Sequence, residues 1–167
     1  MRWTCSQCGQ EHEGLPHDWA FPSPTYWDGG RDDEDFLSDD LCRWTDDDGQ
    51  PGYFIRGILT IPVVDDGDEL RYGVWSSLSE RSFKRIVDLW DDPARIEEAP
   101  YFGWLSNSLP GYPKTLGLPL NVVTRKLDLR PQFLLDPDSD HPLAREQQEG
   151  INSDRVREIA ELNMHAA

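Results

Sequence analysis

The amino-acid sequence predicts an α+β domain, in which an antiparallel sheet is covered by two main helices. The chain has 167 residues, which is the size of a single domain. Extended apolar stretches come in two groups, and an amphipathic helical pattern follows each group. Because the first two stretches are separated only by a short turn, they are expected to pair as a hairpin, and not through the long crossover that a parallel sheet requires.

The strongest strand signal lies at residues 53–64, where β-branched and aromatic side chains occupy both faces, as in a strand that is buried on both sides. Residues 65–68 contain the Asp and Gly of a turn, and residues 70–75 form the second strand of the hairpin. Two further strands are predicted at about residues 118–127 and 132–135.

The first main helix has a recognisable start. Ser77 and Glu80 have the spacing of a capping box, in which each side chain satisfies a free backbone N–H group of the first turn. Apolar residues recur after them with helical periodicity. We expect this helix to end by Asp92, because a proline follows.

The second main helix is predicted near the end of the sequence. Asn152 or Ser153 provides the cap, and the apolar pattern continues to about Met164. A short helical turn is predicted at residues 143–148. Residues 21–35 are rich in Pro, Gly and Asp, and they are expected to form an exposed loop.

The charge of the chain is strongly acidic. Its 16 Lys and Arg residues face 32 Asp and Glu residues, which gives a net charge of −16 and excludes a nucleic-acid partner, whose phosphates would be repelled. Half of this excess lies in residues 28–48, which we expect to form an acidic loop. Two explanations remain open: adaptation to a GC-rich genome or a salty cytoplasm, or a surface that attracts a basic protein.

The sequence is expected to belong to a cytoplasmic protein. No apolar run is long enough to span a membrane, and the first residues lack the apolar core of a secretion signal. With three cysteines, an odd number, a stable disulfide framework is not expected in such a chain.

The N-terminal segment carries the sharpest chemical signal. Residues 1–20 have too few apolar side chains to pack as a core, yet Cys5, Cys8 and His12 follow the pattern C-x-x-C-G-x-x-H. Two thiolates with this spacing can hold one tetrahedral ion, and the histidine lies within reach of it. The segment is therefore predicted to be zinc-knuckle-like and to gain its folding free energy from the metal. A redox dithiol and a chance occurrence are the alternative interpretations.

A structural zinc ion needs a fourth ligand, and the sequence leaves two residues open for it. Cys42 would complete a Cys3His site, and it would form a metal-binding submodule together with residues 1–20. His17, five residues after His12, is the competing donor. Cys42 equally fits a short strand in which a free cysteine is buried. Four protein ligands leave no position for water, so this metal would be structural and not catalytic.

No catalytic set can be assembled from the spacing of residues. His141 lies beside Asp140, but no nucleophile accompanies it in a Ser-His-Asp or Cys-His arrangement. Residues 101–113 combine aromatic residues with prolines and glycines, and they are expected to form an ordered connection over one face of the sheet. The candidate binding residues, taken from this stretch and the loop before residues 143–148, are Trp104, Asn107, Tyr112 and His141.

Several motifs occur in a fixed order along the sequence. They are C-x-x-C-G-x-x-H-x-G-L-P at residues 5–16, Y-F-I-R-G at 53–57, Trp75 with S-L-S-E at 77–80, L-W-D-D-P at 89–93, Y-F-G-W-L-S-N at 101–107, L-P-G-Y-P at 109–113 and H-P-L-A at 141–144. Together they resemble the bacterial family called domain of unknown function 2199, and the resemblance covers nearly the whole chain. It implies no activity.

The same resemblance implies a set of metal-site residues. The two N-terminal cysteines, the following histidine and the later cysteine of the family pattern correspond here to Cys5, Cys8, His12 and Cys42. Residues 28–48 depart from that pattern in their acidity.

Two classes of function follow from these observations. The first is a protein-binding module with a structural zinc ion, including the specific case of an acidic inhibitor or immunity-type partner of a basic toxin. The second is a small hydrolase-type enzyme that depends on the metal or on His141. In the binding module, four protein ligands are expected to fill the coordination sphere of the metal. In a metal-dependent hydrolase, one coordination position is expected to be open to water.

Overall fold

A computed structural model, which describes residues 1–166, has the α+β class that the sequence predicts. The helices are α1 (Glu80–Asp88), α2 (Pro142–Glu149) and α3 (Ser153–Met164), and a 3-10 helix spans Pro93–Glu97. The strands are β1 (Arg2–Thr4), β2 (Glu11–Glu13), β3 (Asp18–Ala20), β4 (Phe36–Leu37), β5 (Leu41–Thr45), β6 (Pro51–Val63), β7 (Asp68–Leu78), β8 (Tyr101–Trp104), β9 (Pro119–Val123) and β10 (Gln132–Leu135).

The predicted hairpin is formed by β6 and β7, which are both longer than expected. They pair in antiparallel register from Tyr53 opposite Leu78 to Val63 opposite Asp68. Gly67 supplies the left-handed backbone conformation of the turn, with a φ of 72°. Because this pairing runs along the whole of β7, the hairpin forms the frame on which the other strands assemble.

The main sheet is mixed, which corrects the expectation of an antiparallel sheet. Its strand order is β3-β7-β6-β10-β9-β8, and β5 pairs with both β4 and β6. Strand β10 runs parallel to β6, and β3 runs parallel to β7. Both strands are separated from their partners by long segments of chain, so they can add to the hairpin in either direction, whereas a tight turn permits only antiparallel pairing.

The sheet curls until its last strand, β8, approaches β7. The N–H group of Ser106 donates to the carbonyl oxygen of Trp75 at 2.8 Å, and Leu105 forms an antiparallel bridge with Ser76. A side chain at Gly103 would overlap Ser76, so glycine permits this close approach. The aromatic stretch at residues 101–113, expected to be a connection, thus contributes a strand of the sheet.

Helix α1 begins two residues later than predicted. The cap is Ser79, whose Oγ atom accepts a hydrogen bond from the N–H group of Ser82 at 3.1 Å. Ser77 does not cap the helix, because β7 continues past it. Phe83 and Ile86 are buried against the sheet, as the helical periodicity predicts.

Three α-helices, and not two, accompany the sheet within residues 1–166, so the prediction of two helices packed on an antiparallel sheet is not confirmed. Helix α3 has the predicted cap at Asn152 and the predicted end at Met164. The short turn predicted at residues 143–148 is the complete helix α2, with His141 as its cap. In the described part of the chain, no helix has the length and apolar character needed to cross a bilayer.

The acidic residues 28–48 form an ordered segment that contains β4 and β5. At its centre the carboxylate of Asp35 is almost completely buried. It accepts hydrogen bonds from the N–H and O–H groups of Thr45 at 3.0 and 2.8 Å, from the N–H group of Arg31 at 2.9 Å and from the guanidinium of Arg43 at 2.8 Å. The expected acidic loop is therefore an ordered segment with two short strands, and the buried carboxylate of Asp35 holds it together.

Candidate metal centre

The N-terminal segment folds as a separate two-stranded hairpin of β1 and β2, in which Trp3 pairs with His12. The connecting turn is closed by two hydrogen bonds: the N–H group of Cys5 donates to the carbonyl oxygen of Gln10, and that of Gly9 donates to the carbonyl oxygen of Cys5, both at 2.9 Å. Gly9 has a φ of 70°, a conformation that glycine adopts without strain. The tight turn holds Cys5 and Cys8 close to the second strand.

Cys5, Cys8 and His12 come together at this turn. Their donor atoms all lie within 4.8 Å of one another, and the Cys8 Sγ and His12 Nε2 atoms are 3.9 Å apart. A tetrahedral zinc ion with Zn–S bonds of about 2.3 Å and Zn–N bonds of about 2.0 Å separates its sulfur and nitrogen donors by about 3.5 Å. The three side chains therefore could hold one metal ion, as the sequence predicts.

The electrostatic surroundings of Cys5 favour the thiolate that a metal requires. Burial raises the pKa of the Cys5 thiol, but hydrogen bonds from the backbone N–H groups of Cys8 and Gln7, together with a contact to His165, outweigh it. The pKa of Cys5 is lowered to about 7 as a result. A thiol with this pKa is partly ionised at neutral pH and needs little free energy to lose its proton to a metal.

The hairpin is attached to the last helix of the domain. Trp3 and Cys5 are buried in a small apolar cluster with Ala160 of α3. Beside this cluster, the N–H and O–H groups of Ser6 both donate to the carboxylate of Glu161, at 2.8 and 2.5 Å. The candidate metal centre therefore lies between the first hairpin and α3, away from the main core.

Cys42, predicted as the fourth ligand, is not part of this group. It lies in β5 opposite Phe54, is fully buried, and packs in a separate cluster with Phe54 and Trp75. Burial, with a smaller effect from the charge of Asp35, raises the pKa of Cys42 to about 12, so its thiol keeps its proton. The assignment is corrected because pairing with β6 turns this side chain into the core, as the alternative interpretation of a buried free cysteine expected.

His17, the competing donor, also has other partners. Its Nδ1 atom lies 2.7 Å from the carbonyl oxygen of Leu15, and its Nε2 atom lies 3.2 Å from a carboxylate oxygen of Asp66. These contacts connect the N-terminal segment to the turn between β6 and β7. Both ring nitrogens are thus engaged away from the cysteines.

His165, the C-cap of α3, also lies beside this group, which the sequence does not predict. Its Nε2 atom lies 3.3 Å from the Sγ atom of Cys5, although 160 positions separate the two residues. No spacing pattern connects residues that are so far apart. Its residue type is the one signal in the sequence: histidine is a common zinc ligand, and the chain has four histidines.

Two of the candidate binding residues lie near β8. Asn107 is buried, and its side chain accepts a hydrogen bond from the N–H group of Trp75 at 2.8 Å and donates to the carbonyl oxygen of Ser23 at 2.9 Å. Trp104 is half exposed and lies edge-on to Phe102, with ring centroids 4.9 Å apart. Asn107 therefore has a structural role, and Trp104 remains accessible.

The other two candidates connect the segment before β9 to α2. The hydroxyl of Tyr112 donates to the carboxylate of Glu146. The Nδ1 atom of His141 accepts a hydrogen bond from the N–H group of Leu143 at 3.1 Å, and its Nε2 atom faces the carbonyl oxygens of residues 113–114. The four candidates do not form one site, because three of them are held by internal contacts.

A cleft of about 500 Å³, which the sequence did not indicate, lies beside α1 and residues 124–131. Ile58 and Trp90 contribute to its apolar lining. Arg95 also lines it, but its guanidinium donates to backbone carbonyl oxygens, including that of Arg125 at 2.8 Å, and so supports the wall. None of the predicted site residues lines the cleft.

One family model matches this chain. It is described as an uncharacterized protein conserved in bacteria (DUF2199), and it matches residues 4–151, which include the three metal-site residues of the hairpin. The match ends before α3 begins. No curated protein and no solved structure matches the chain. The family resemblance stated from the sequence motifs is confirmed.

Proposed function

Because the chain belongs to the DUF2199 family, an uncharacterised bacterial family, we propose a function from the site itself: a zinc ion held by Cys5, Cys8 and His12 folds the N-terminal segment. The convergence of these three donors in one tight hairpin carries this proposal. Two thiolates and an imidazole in a small tetrahedral site suit zinc better than hard cations such as magnesium or calcium, which prefer oxygen ligands.

The metal in this proposal is structural. The hairpin of β1 and β2 has only three residues in each strand, and its apolar cluster is small: Trp3, Cys5 and Ala160 are buried, and Leu15 and Trp19 are partly buried against them. A two-stranded hairpin of this size is marginally stable in water without further support. Coordination adds on the order of 10 kcal/mol in small zinc modules at neutral pH, which is enough to hold such a segment in one conformation.

We further propose that the protein is a cytoplasmic protein-binding module whose acidic segment, residues 28–48, binds a basic protein. The contacts of Asp35 with Thr45 and Arg43 keep this segment ordered, so its exposed carboxylates are presented on a fixed surface. A concentrated field of one sign accelerates association with a partner of the opposite sign. An inhibitor or immunity-type protein, whose carboxylates cover cationic groups of a toxin, is the specific form of this proposal.

A small hydrolase that depends on the metal or on His141 is the alternative function. The His141-dependent form and the metal-dependent form of this enzyme require different features of the structure. A His141-dependent enzyme needs a ring nitrogen that can reach a substrate, and both nitrogens of His141 face groups of the protein itself. A metal-dependent enzyme needs a coordination position that is open to water. The contacts of His141 favour the binding module over the first form.

Metal analysis tests the zinc proposal. Protein purified without chelator should contain one equivalent of zinc, and Cys5→Ser should lose it, because a hydroxyl is a poor zinc ligand in place of a thiolate. Cys8→Ser should behave in the same way. A parent protein that is fully folded and free of metal would contradict the proposal.

Capture experiments at two salt concentrations test the proposed partner. A basic protein of the native host should bind at low salt and be weakened at moderate salt, because exposed charges are screened. Asp33→Asn with Asp48→Asn removes two exposed charges of the acidic segment and should weaken capture. The matched control is Asp88→Asn with Asp91→Asn, which removes two exposed charges at α1. Equal capture by both double variants would argue against the acidic segment as the contact surface.

A further inference from the structure

We propose that His165 is the fourth ligand of this metal ion, so that the end of α3 closes the site. The inference rests on the proposed zinc binding by Cys5, Cys8 and His12, and it supplies the ligand that the sequence left open. The Nε2 atom of His165 lies 3.3 Å from the Sγ atom of Cys5.

The distance from His165 to Cys5 matches that of two donors on one ion, but His165 lies outside the group of three donors that are within 4.8 Å of one another, so its ring has to turn to complete the site. Sulfur and nitrogen donors on one tetrahedral zinc ion are separated by about 3.5 Å. The contact between Cys5 and His165, at 3.3 Å, lies closer to that separation than the contact between Cys8 and His12, at 3.9 Å. His165 is exposed at the C-terminal end of its helix, so its ring can turn toward an ion without disturbing the core.

The sequence of α3 explains why His165 reaches the hairpin. Glu161 and His165 are four residues apart and therefore lie on the same side of the helix. Glu161 holds Ser6 by two hydrogen bonds, and Ser6 is the neighbour of Cys5 in the chain. One helical turn thus presents a carboxylate to Ser6 and an imidazole to the thiolate beside it.

The two donors that the sequence left open, and the carboxylate of Glu161 beside the site, are already engaged. His17 is held by Leu15 and Asp66, and Cys42 is buried in another cluster. The carboxylate of Glu161 is close, but each of its oxygens accepts a hydrogen bond from Ser6. Closed structural zinc sites also take sulfur and nitrogen donors. His165, in contrast, contacts a cysteine of the group directly.

The consequence is a Cys2His2 site that joins the two ends of the chain. With four protein ligands no position remains for water, which agrees with a structural metal. The ion also links the hairpin to a helix that lies outside the region matched by the family model. The contact between Cys5 and His165 could alternatively belong to a cysteine nucleophile that a histidine activates without any metal. Such a nucleophile needs an accessible sulfur atom, whereas Cys5 is only 1% exposed.

Cobalt titration of the full chain tests the inference, because cobalt(II) replaces zinc and its visible absorption is intense only in a four-coordinate tetrahedral site. The parent should bind one equivalent with this absorption. His165→Ala should bind cobalt and zinc at least about 100-fold more weakly, since even the loss of a group that only supports a ligand costs 10–100-fold. His165→Cys supplies a new thiolate, and it should restore affinity and add sulfur-to-metal charge-transfer absorption. His17→Ala is the matched control and should behave like the parent.

The outcomes separate the two proposals. If the parent binds one tetrahedral ion and His165→Ala retains the same affinity and spectrum, His165 is not a ligand, but zinc binding stands. If the parent binds no ion, both proposals fail together. Circular dichroism of each variant checks its folding. Should His165→Ala be unfolded, the charge-transfer absorption of His165→Cys decides: it should exceed that of the parent, in which Cys5 and Cys8 already contribute, and no increase would overturn the inference.

Discussion

Glu161 and Ser6 are joined by two hydrogen bonds that span 155 positions of the sequence. The N–H group of Ser6 donates to one carboxylate oxygen at 2.8 Å, and its hydroxyl donates to the other at 2.5 Å. Hydrogen bonds to a charged acceptor are stronger than those between neutral groups. The N-terminal hairpin is therefore attached to α3 independently of any metal.

Replacing this carboxylate should loosen the hairpin. In Glu161→Gln, one carboxylate oxygen becomes an NH2 group, which cannot accept from Ser6, and the remaining acceptor is uncharged, so the two contacts are weakened. We expect faster hydrogen exchange in β1 and β2 and unchanged exchange in β6 and β7. Glu158→Gln, on the same helix but paired with Arg155, is the control. Equal exchange rates in the hairpin of both variants would contradict the prediction.

The same contact should depend on pH. The hydrogen bonds from Ser6 hold the pKa of Glu161 below its ordinary value. A group whose pKa is lower in the folded state stabilises that state at any pH above its ordinary pKa, and it loses this effect as the pH falls. The protection of the hairpin amides, measured as the exchange rate relative to the intrinsic rate at the same pH, should therefore fall in acid, and Glu161→Gln should show a smaller fall.

Cys42→Ala should leave the zinc content unchanged. The sulfur of Cys42 is buried with Phe54 and Trp75 and does not join the N-terminal donors. Removing it leaves a small cavity, which should lower the free energy of unfolding by about 1–2 kcal/mol. Zinc analysis and urea unfolding measure the two effects, with Cys5→Ser as the comparison. Loss of zinc from Cys42→Ala would restore Cys42 as a ligand.

Asp35→Asn should destabilise the acidic segment. Burial raises the pKa of Asp35, but hydrogen bonds from the N–H group of Arg31 and from the hydroxyl and N–H groups of Thr45 outweigh it and lower the pKa to about 2. Its stabilisation is therefore complete above the unfolded pKa of about 4 and is lost as the pH falls toward 2.

The variant should lose roughly 1–2 kcal/mol of stability at neutral pH, and the difference from the parent should shrink below pH 4. Asp33→Asn makes the same change in charge at an exposed position and should alter stability by less than about 0.5 kcal/mol. Urea unfolding of the two variants and the parent, at pH values between about 2.5 and 7, measures these differences in stability across the range in which carboxylates titrate. A constant difference between Asp35→Asn and the parent across this range would be inconsistent with the lowered pKa.

Gly57→Ala should destabilise the sheet by about 1–3 kcal/mol, because the added methyl group would overlap the ring of Phe133. Gly73→Ala is a matched control in the partner strand, since a methyl group there meets its nearest neighbour, the Cβ atom of Ala20, at an ordinary 3.5 Å. Thermal and urea unfolding compare the two. Equal stability of both variants would show that Phe133 adjusts without cost.

Local signals predicted the elements that depend on local chemistry. The strand at residues 132–135 and the helix from Asn152 to Met164 appear where the pattern and the cap place them. The predicted start of α1 was wrong: the cap is Ser79 and not Ser77. Pairing with β6 extends β7 to Leu78, so Ser79 is the first residue after the strand that can cap the helix.

The direction of strand pairing could not be predicted in the same way. β3 and β10 join the hairpin in parallel, and their partners lie far away in the sequence. Strand period and turn chemistry describe a strand and its immediate neighbour, and they contain no information about which distant edge it will meet.

The sequence by itself determined that Cys5, Cys8 and His12 could meet, because a tight turn with glycine leaves those side chains within a few ångströms of one another. Only the tertiary structure decided what stands beside them. Cys42 was turned into the core by its pairing with β6, and α3 brought Glu161 and His165 to the hairpin from the other end of the chain. Contacts across 155 and 160 positions depend on how helices and strands pack, and spacing along the chain does not encode them.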